Sequence, residues 1–223
     1  MLQHVFERQL RICLDLLIEY REGRRKEDFD SYIKENPAAQ VVGMDTVEGP
    51  RTERRCLPSL LFLNCTLQLA FLGESNSNAT TTHVWRQLGS RLTTDEVKRL
   101  FPVVLADNGT EFSKPEEIEE NEYGEILTSV FFCHPLASWE KGDCENNHAM
   151  IRRILPKGSS FSNLTQEKVD LMMNHINSHP RPQYNGKTPY EMFVFFHGRH
   201  LAEKLGLKGI DRNDVTLKPC LLK

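Results

Sequence analysis

Three acidic residues of this 223-residue chain lie where a carboxylate can take part in chemistry. Asp45 comes near the end of the apolar run "VVGMDTV", and Asp107 ends the run "VVLAD" directly before Asn108-Gly109. Glu145 follows much later, in "SWEKGDCENNHAMIRRILPKG". An aspartate before Asn-Gly is commonly a turn residue whose side chain bonds to the backbone. The presence of two further carboxylates makes a shared site the alternative.

These three carboxylates can converge if the two apolar runs are neighbouring parallel strands. Asp45 and Asp107 then meet at the carboxyl edge of the sheet, where open α/β sheets bind their ligands. A helix that crosses this edge would bring Glu145 to the same point. Because like charges a few ångström apart disfavour one another, such a cluster needs a compensating cation. Mg²⁺ prefers oxygen ligands, and two ions can stabilise the attacking and leaving oxygens of a phosphoryl displacement.

Basic side chains accompany Glu145 on its predicted helix. Lys141 lies four residues before Glu145, His148 three after and Arg152 seven after. At 3.6 residues per turn these residues share one face. A carboxylate flanked by basic groups suits a metal site beside a phosphate backbone. A solvated helix face with i,i+4 ion pairs is the competing interpretation.

The periodicity of apolar residues predicts the elements that carry these side chains. Strands are predicted at 40–47, 56–64, 67–73, 102–107 and 127–135, and helices at 5–21, 27–35, 77–92, 93–101, 115–121, 140–154 and 165–177. The short gaps between the first three strands indicate two antiparallel hairpin connections. The fourth strand is apolar on both faces and is therefore predicted to be parallel to its neighbour. Together these elements predict an α/β fold, a mixed five-stranded sheet with helices on both faces.

Composition places the chain among ordinary globular proteins, with 39% hydrophobic and 26% charged residues. No stretch approaches the roughly 20 apolar residues of a membrane span. The six cysteines include no CxxC pair, which favours reduced thiols in the cytoplasm. The net charge of −3 is unevenly distributed: residues 107–125 carry −7, and residues 126–223 carry +4. The total charge therefore does not exclude DNA as a partner.

Five sequence motifs follow one another along the chain in an order that resembles a known protein family. "MDTVEG", "LADNGTEF", "HPLASWEKGDCEN", "IRRILPKG" and "KTPYEMF" resemble the catalytic core of insertion-sequence transposases. These enzymes form the DDE group with a retroviral-integrase-type fold, and the chain resembles in particular the insertion-sequence-thirty branch, from about residue 24 to the end. Cys144 departs from that pattern, because relatives carry Asn before the glutamate.

The resemblance implies a ribonuclease-H-like fold with a catalytic, metal-binding triad of Asp45, Asp107 and Glu145. It implies two Mg²⁺ or Mn²⁺ ions when DNA is bound, and a polynucleotidyl transferase that performs DNA strand cleavage and strand transfer during transposition. The implied partners are the inverted-repeat ends, target DNA and further copies of the chain, with neither a membrane nor a small-molecule substrate. The implied location is the bacterial cytoplasm, in association with the nucleoid.

The organisation expected from these patterns has three parts. Residues 1–37 are a helical segment and connector, residues 38–195 the integrase-type core and residues 196–223 a C-terminal tail. Full-length relatives carry an N-terminal helix-turn-helix domain that we do not expect here. The alternative function is therefore a truncated, non-catalytic remnant that binds DNA or a full-length partner.

The other acidic, histidine and basic side chains are predicted to have different roles. Glu48 and Glu111 are not assigned to the metal, and Glu111 is predicted to order its loop or to cap a helix. Zinc is disfavoured because the histidines have no common ligand spacing. The predicted DNA contacts are Lys141, Arg152, Arg153 and Lys157.

Overall fold

The computed structural model describes residues 21–134, 137 and 142–223, and the side chains of the last range from Asn146 onward. Residues 5–20 of the first predicted helix and Lys141 lie outside the described residues. The strands are β1 Val41–Glu48, β2 Cys56–Phe62, β3 Leu67–Ala70, β4 Val103–Ala106 and β5 Ser129–Phe132. The α-helices are α1 Lys26–Glu35, α2 Asn78–Arg91, α3 Thr94–Leu100, α4 Glu116–Glu119, α5 Gly142–Ile154, α6 Gln166–Asn177, α7 Pro189–His197 and α8 Arg199–Lys204.

The five strands form one mixed sheet in the order β3-β2-β1-β4-β5. β1 and β2 pair antiparallel, as do β2 and β3, which confirms both predicted hairpin connections. β4 is parallel to β1 and to β5, as its apolar sequence predicts. The predicted α/β class, with a five-stranded mixed sheet, is therefore confirmed.

One face of the sheet, here called the packed face, carries a continuous apolar core. It is formed by alternate strand positions such as Val42 and Met44 of β1 and Leu60 and Phe62 of β2. Helices α2, α3, α7 and α8 contribute buried side chains to the same cluster, among them Trp85, Val97, Phe193 and Leu201. The ring centroid of Phe62 lies 5.2 Å from that of Phe193 and 5.3 Å from that of Phe101. Aromatic contacts of this kind fix the helices against the strands.

The opposite face, here called the divided face, carries two separate apolar clusters. The first lies on β1, β2 and β3 under α5 and α6, and includes Val47, Leu57 and Ile151. The second lies on β4 and β5 beside α1, where Leu105 and Phe131 meet the half-buried ring of Phe29. The strand positions between the two clusters are therefore not filled by one continuous core.

Two of the helices over the packed face begin with capping boxes. Thr93 and Glu96 form a capping box at the start of α3, and Thr188 and Glu191 form another at the start of α7.

Segment 196–223, which the sequence predicts to be a tail, contains α8, and Leu201 and Leu207 join the packed-face core. The domain boundaries stay predictions. No helix in the described part of the chain is long and apolar enough to cross a membrane.

Candidate active site

The strand register aligns Asp45 with Asp107. β1 and β4 pair in parallel, with Gly43 opposite Leu105. Asp45 comes two residues after Gly43, and Asp107 comes two residues after Leu105. Residues at equal distance along adjacent parallel strands lie side by side, and residues two apart point to the same face. Both carboxylates therefore belong to the divided face at the carboxyl edge of the sheet. This is the convergence that the sequence predicts for these two residues.

A local turn holds Asp107 at that edge. Its Oδ1 accepts a hydrogen bond of 2.9 Å from the backbone N–H of Gly109, which is the predicted bond of a turn aspartate. The side chain of Asn108 donates to the carbonyl of Cys133 at 2.8 Å and so attaches the turn to the end of β5. The turn interpretation and the site interpretation of Asp107 are therefore compatible.

Asp45 lies beside helix α5. Its Oδ1 accepts a hydrogen bond of 2.8 Å from the backbone N–H of Thr46, and its side chain is 19% exposed. The Nδ1 of His148 lies 3.9 Å from the Oδ2 of Asp45. This distance allows an electrostatic interaction but is too long for a hydrogen bond. The Nε2 of His148 lies 3.2 Å from the Oγ of Ser59, the residue paired with Asp45 across β2. Sequence reasoning found His148 on the correct helix but missed Ser59.

Glu145 lies in the first half of α5, one turn before His148. Its side chain is outside the described residues, so its approach to the two aspartates stays a prediction. The oxygen donors of Asp45 and Asp107 fit a hard divalent cation. Among the side chains that are described, no three His, Cys, Asp or Glu residues are grouped so that they could hold a metal ion. A metal site here needs a further ligand, and Glu145 is the predicted one.

Glu111 is a buried carboxylate next to the site. It lies in a 3₁₀ turn at Thr110–Phe112 and is 7% exposed. Burial raises the pKa of Glu111, and the nearby charge of Asp107 raises it further. A Cβ atom on Gly109 would lie only 2.3 Å from the Oε2 of Glu111, so the carboxylate is accommodated because residue 109 is glycine. Nothing in the sequence marks this burial, because a glutamate after a turn usually faces solvent.

The basic residues predicted to contact DNA have different surroundings. The Nη2 of Arg152 donates to the carbonyl of Glu48 at 2.8 Å and so connects α5 to the end of β1. Arg153 and Lys157 are exposed, and Lys141 is outside the described residues. The carboxylate of Glu48 accepts a hydrogen bond of 3.1 Å from Asn76.

The sheet order and the helices on its two faces give the chain a ribonuclease-H-like α/β fold. The catalytic core domain of bovine immunodeficiency virus integrase superposes with a TM-score of 0.51 at 19% identity, over 74% of this chain and 99% of that domain. A simian T-cell lymphotropic virus intasome structure gives a TM-score of 0.52 at 13% identity, over 68% of this chain and 52% of that chain. At these identities the likeness establishes the fold.

Sequence comparison finds relatives among insertion-sequence transposases. The chain is 39% identical over 98 residues to the transposase of IS4351 from Bacteroides fragilis, an alignment that covers 44% of this chain. It is 31% identical over 98 residues to the transposase of IS1086 from Cupriavidus metallidurans, again over 44% of this chain. It is 36% identical over 63 residues to the IS30A transposase of Escherichia coli, over 28% of this chain and 16% of that protein.

These alignments confirm the resemblance to insertion-sequence transposases and to the insertion-sequence-thirty branch. They span 29% of the length of the IS4351 transposase and 28% of that of the IS1086 protein. No model of a known protein family matches the chain.

Proposed function

We propose that this chain is a transposase, a metal-dependent polynucleotidyl transferase that cleaves DNA strands at the ends of an insertion sequence and joins them to a target. The observation that carries the proposal is the alignment of Asp45 and Asp107 on adjacent parallel strands of an integrase-type fold. The sequence likeness to insertion-sequence transposases supports the choice of DNA as substrate.

Asp45, Asp107 and Glu145 are the proposed catalytic and metal-binding residues. Two Mg²⁺ or Mn²⁺ ions, when bound together with DNA, would supply positive charge for the attacking and leaving oxygens of the phosphoryl transfer. The protein's part is to hold the carboxylates in place. The backbone N–H groups of Thr46 and Gly109 each donate a hydrogen bond to one oxygen of an aspartate and so fix the orientation of that carboxylate. Glu145 would approach from α5, whose His148 already lies beside Asp45.

DNA would lie along the exposed side of α5. Arg153 on α5 and Lys157, three residues after its end, are exposed, and Lys141 is the further predicted contact. Arg152 contributes through its bond to the Glu48 carbonyl, which holds α5 on the edge of the sheet beside the carboxylates. By likeness to the relatives, the partners are the inverted-repeat ends, target DNA and further copies of the chain, in the bacterial cytoplasm at the nucleoid.

A cleavage and strand-transfer assay tests this proposal. Labelled DNA carrying the ends of the element is incubated with the wild-type chain and with Mg²⁺, Mn²⁺ or EDTA. We expect nicked and joined products with either metal and none with EDTA. Asp45→Asn and Asp107→Asn should each remove the products, whereas Glu48→Gln, a change of the same type beside the site, should keep them. Wild-type DNA binding without cleavage would contradict the proposal and favour the non-catalytic alternative.

A further inference from the structure

Arg181 connects the loop after α6 to the helix that carries Glu145. This loop, residues 178–188, follows α6 and leads into α7. The Nη2 of Arg181 donates to the Oδ1 of Asn147 at 3.2 Å. Asn147 is 4% exposed and lies two residues after Glu145 on α5. The guanidinium therefore contacts the helix that carries Glu145, at a residue two positions further along the chain.

The charge of Arg181 is not neutralised by any carboxylate among the described residues. Its Nε is buried and has no hydrogen-bond partner within the described structure. Other arginines of the chain differ: Arg24 pairs with Glu119, and Arg55 pairs with Glu74. Buried charged groups are normally paired, because an unpaired one loses its hydration without compensation. Arg181 is therefore a half-buried cation with unused donor capacity.

The groups around Arg181 add positive charge. Burial lowers the pKa of Arg181, and the neighbouring guanidinium of Arg153 lowers it further. Burial likewise lowers the pKa of His179, as do the charges of Arg181 and Arg153. Among the described residues, the phenol of Tyr184 is the one group that acts in the opposite direction on Arg181. An anion at the accessible side of the Arg181 guanidinium would relieve this repulsion.

The backbone of the loop brings a second cation to the same surface. The N–H of Arg181 donates to the carbonyl of Lys187 at 2.9 Å, which closes the loop into a narrow hairpin. Asn185 and Gly186 both have positive φ angles, 53° and 79°, and make the reversal possible. The side chain of Lys187 is exposed. Residues 146–166 and 171–190 contain no Asp or Glu, and the carboxylate of Glu191, the next acid along the chain, accepts a hydrogen bond from the N–H of Thr188.

We infer that Arg181 and Lys187 form a binding site for a backbone phosphate of a DNA strand that lies across the exposed surface of α5 and loop 178–188. The planar guanidinium offers several N–H donors in a geometry that matches phosphate oxygens. Its bond to Asn147 fixes the guanidinium relative to α5, so the bound phosphate is positioned relative to the proposed active site. This inference rests on the proposed function and adds a DNA contact outside the predicted set.

Salt-dependent DNA binding tests the site without catalysis. Fluorescence anisotropy with a labelled 30-base-pair duplex in EDTA compares the wild-type chain with Arg181→Gln and Lys187→Gln. The matched control is Arg86→Gln, which removes the same charge from an exposed position on α2 over the packed face. Each phosphate contact contributes about −0.9 to the slope of log K against log salt concentration. We expect Arg181→Gln and Lys187→Gln to flatten this slope by about that amount, and Arg181→Gln to weaken binding by roughly tenfold.

The variants separate a phosphate contact from a structural role. If Arg181 only holds α5 in place, Arg181→Gln lowers the melting temperature while Lys187→Gln leaves the slope unchanged, and the inference is overturned. Arg181→Lys keeps the charge and should keep the wild-type slope. An equal slope in the wild-type chain and both Gln variants, or no salt-dependent binding by the wild-type chain, also overturns it. If Lys187→Gln leaves the slope unchanged, cleavage that depends on Asp107 would still support the proposed function.

Discussion

The two faces of the sheet differ in how they are filled. The packed face joins all five strands to α2, α3, α7 and α8 through one apolar cluster. The divided face has two clusters, one under α5 and α6 and one beside α1. Asp45, on β1, and Asp107, directly after β4, lie on this divided face, each two residues after the last paired residue of its strand in the β1–β4 ladder. The face that lacks a continuous core is therefore the one that carries the candidate site.

This difference indicates how the chain separates stability from chemistry. Carboxylates that lie side by side repel one another, and they occupy places where apolar residues would stabilise the sheet. Proteins commonly accept such a cost at an active site and compensate for it in other parts of the fold. Here the packed face supplies that compensation, because its aromatic and aliphatic side chains are almost fully buried.

The largest expected effect on stability is on the packed face. Phe193 is fully buried against Phe62, and its replacement by alanine should lower the free energy of unfolding by about 3–5 kcal/mol. Phe195 lies on the same helix but is 76% exposed, so Phe195→Ala should change the free energy of unfolding by less than about 0.5 kcal/mol. Urea unfolding measures both. Equal effects of the two substitutions would show that α7 is not held by the packed face.

On the divided face, we expect divalent metal to stabilise the chain through the aspartates. Mn²⁺ at about 100 times its dissociation constant adds about 2.7 kcal/mol to a protein that binds it only when folded. Thermal unfolding should therefore shift upward with Mn²⁺ in the wild-type chain and in Glu48→Gln. Asp107→Asn should show little shift. If Mn²⁺ shifted the thermal unfolding of Asp107→Asn as much as that of the wild-type chain, the ion would bind at another site.

A smaller effect should come from the buried Glu111. Burial and the charge of Asp107 raise its pKa in the folded chain above the ordinary value of 4.5. The folded state then holds the proton more tightly than the unfolded state, so wild-type stability falls as the pH rises from about 4.5 through the raised pKa. Glu111→Gln lacks this dependence and should gain stability relative to the wild-type chain over that interval. Denaturant unfolding in EDTA at several pH values measures it, and a constant difference would contradict the assignment.

The smallest effect should concern the partly buried ion pair of Lys204 with Glu96 over the packed face. The hydrogen bond from Lys204 lowers the pKa of Glu96 to about 2, with help from the backbone of Thr93. The pair therefore stabilises the fold above pH 4.5, and its contribution is lost as the pH falls toward 2. The stability difference between the wild-type chain and Lys204→Met should shrink over this interval. Lys208→Met, a change at an exposed position nearby, should show no such pH dependence.

Much of this architecture follows from local sequence patterns. Apolar runs and turn residues predict all five strands, and the uninterrupted run before Asp107 predicts its parallel pairing. The aspartates could be found for the same reason, because strand ends are readable from sequence. In contrast, the burial of Glu111 depends on the absence of a side chain at Gly109. The contacts of His148 with Ser59, and of Arg181 with Asn147, join residues 89 and 34 positions apart, and no local pattern encodes them.

The most direct measurement compares one substitution on each face in the same DNA-cleavage assay. Rates for Phe193→Ala and Asp107→Asn are normalised to the amount of folded protein, with Mg²⁺ and DNA that carries the ends of the element. We expect Phe193→Ala to cleave at nearly the wild-type rate per folded molecule despite its lower stability. We expect Asp107→Asn to keep its stability and to lose more than about 100-fold in rate, since even the outer partners of metal ligands are worth about 10–100-fold. A wild-type cleavage rate in Asp107→Asn would contradict the assignment of the divided face as the active site.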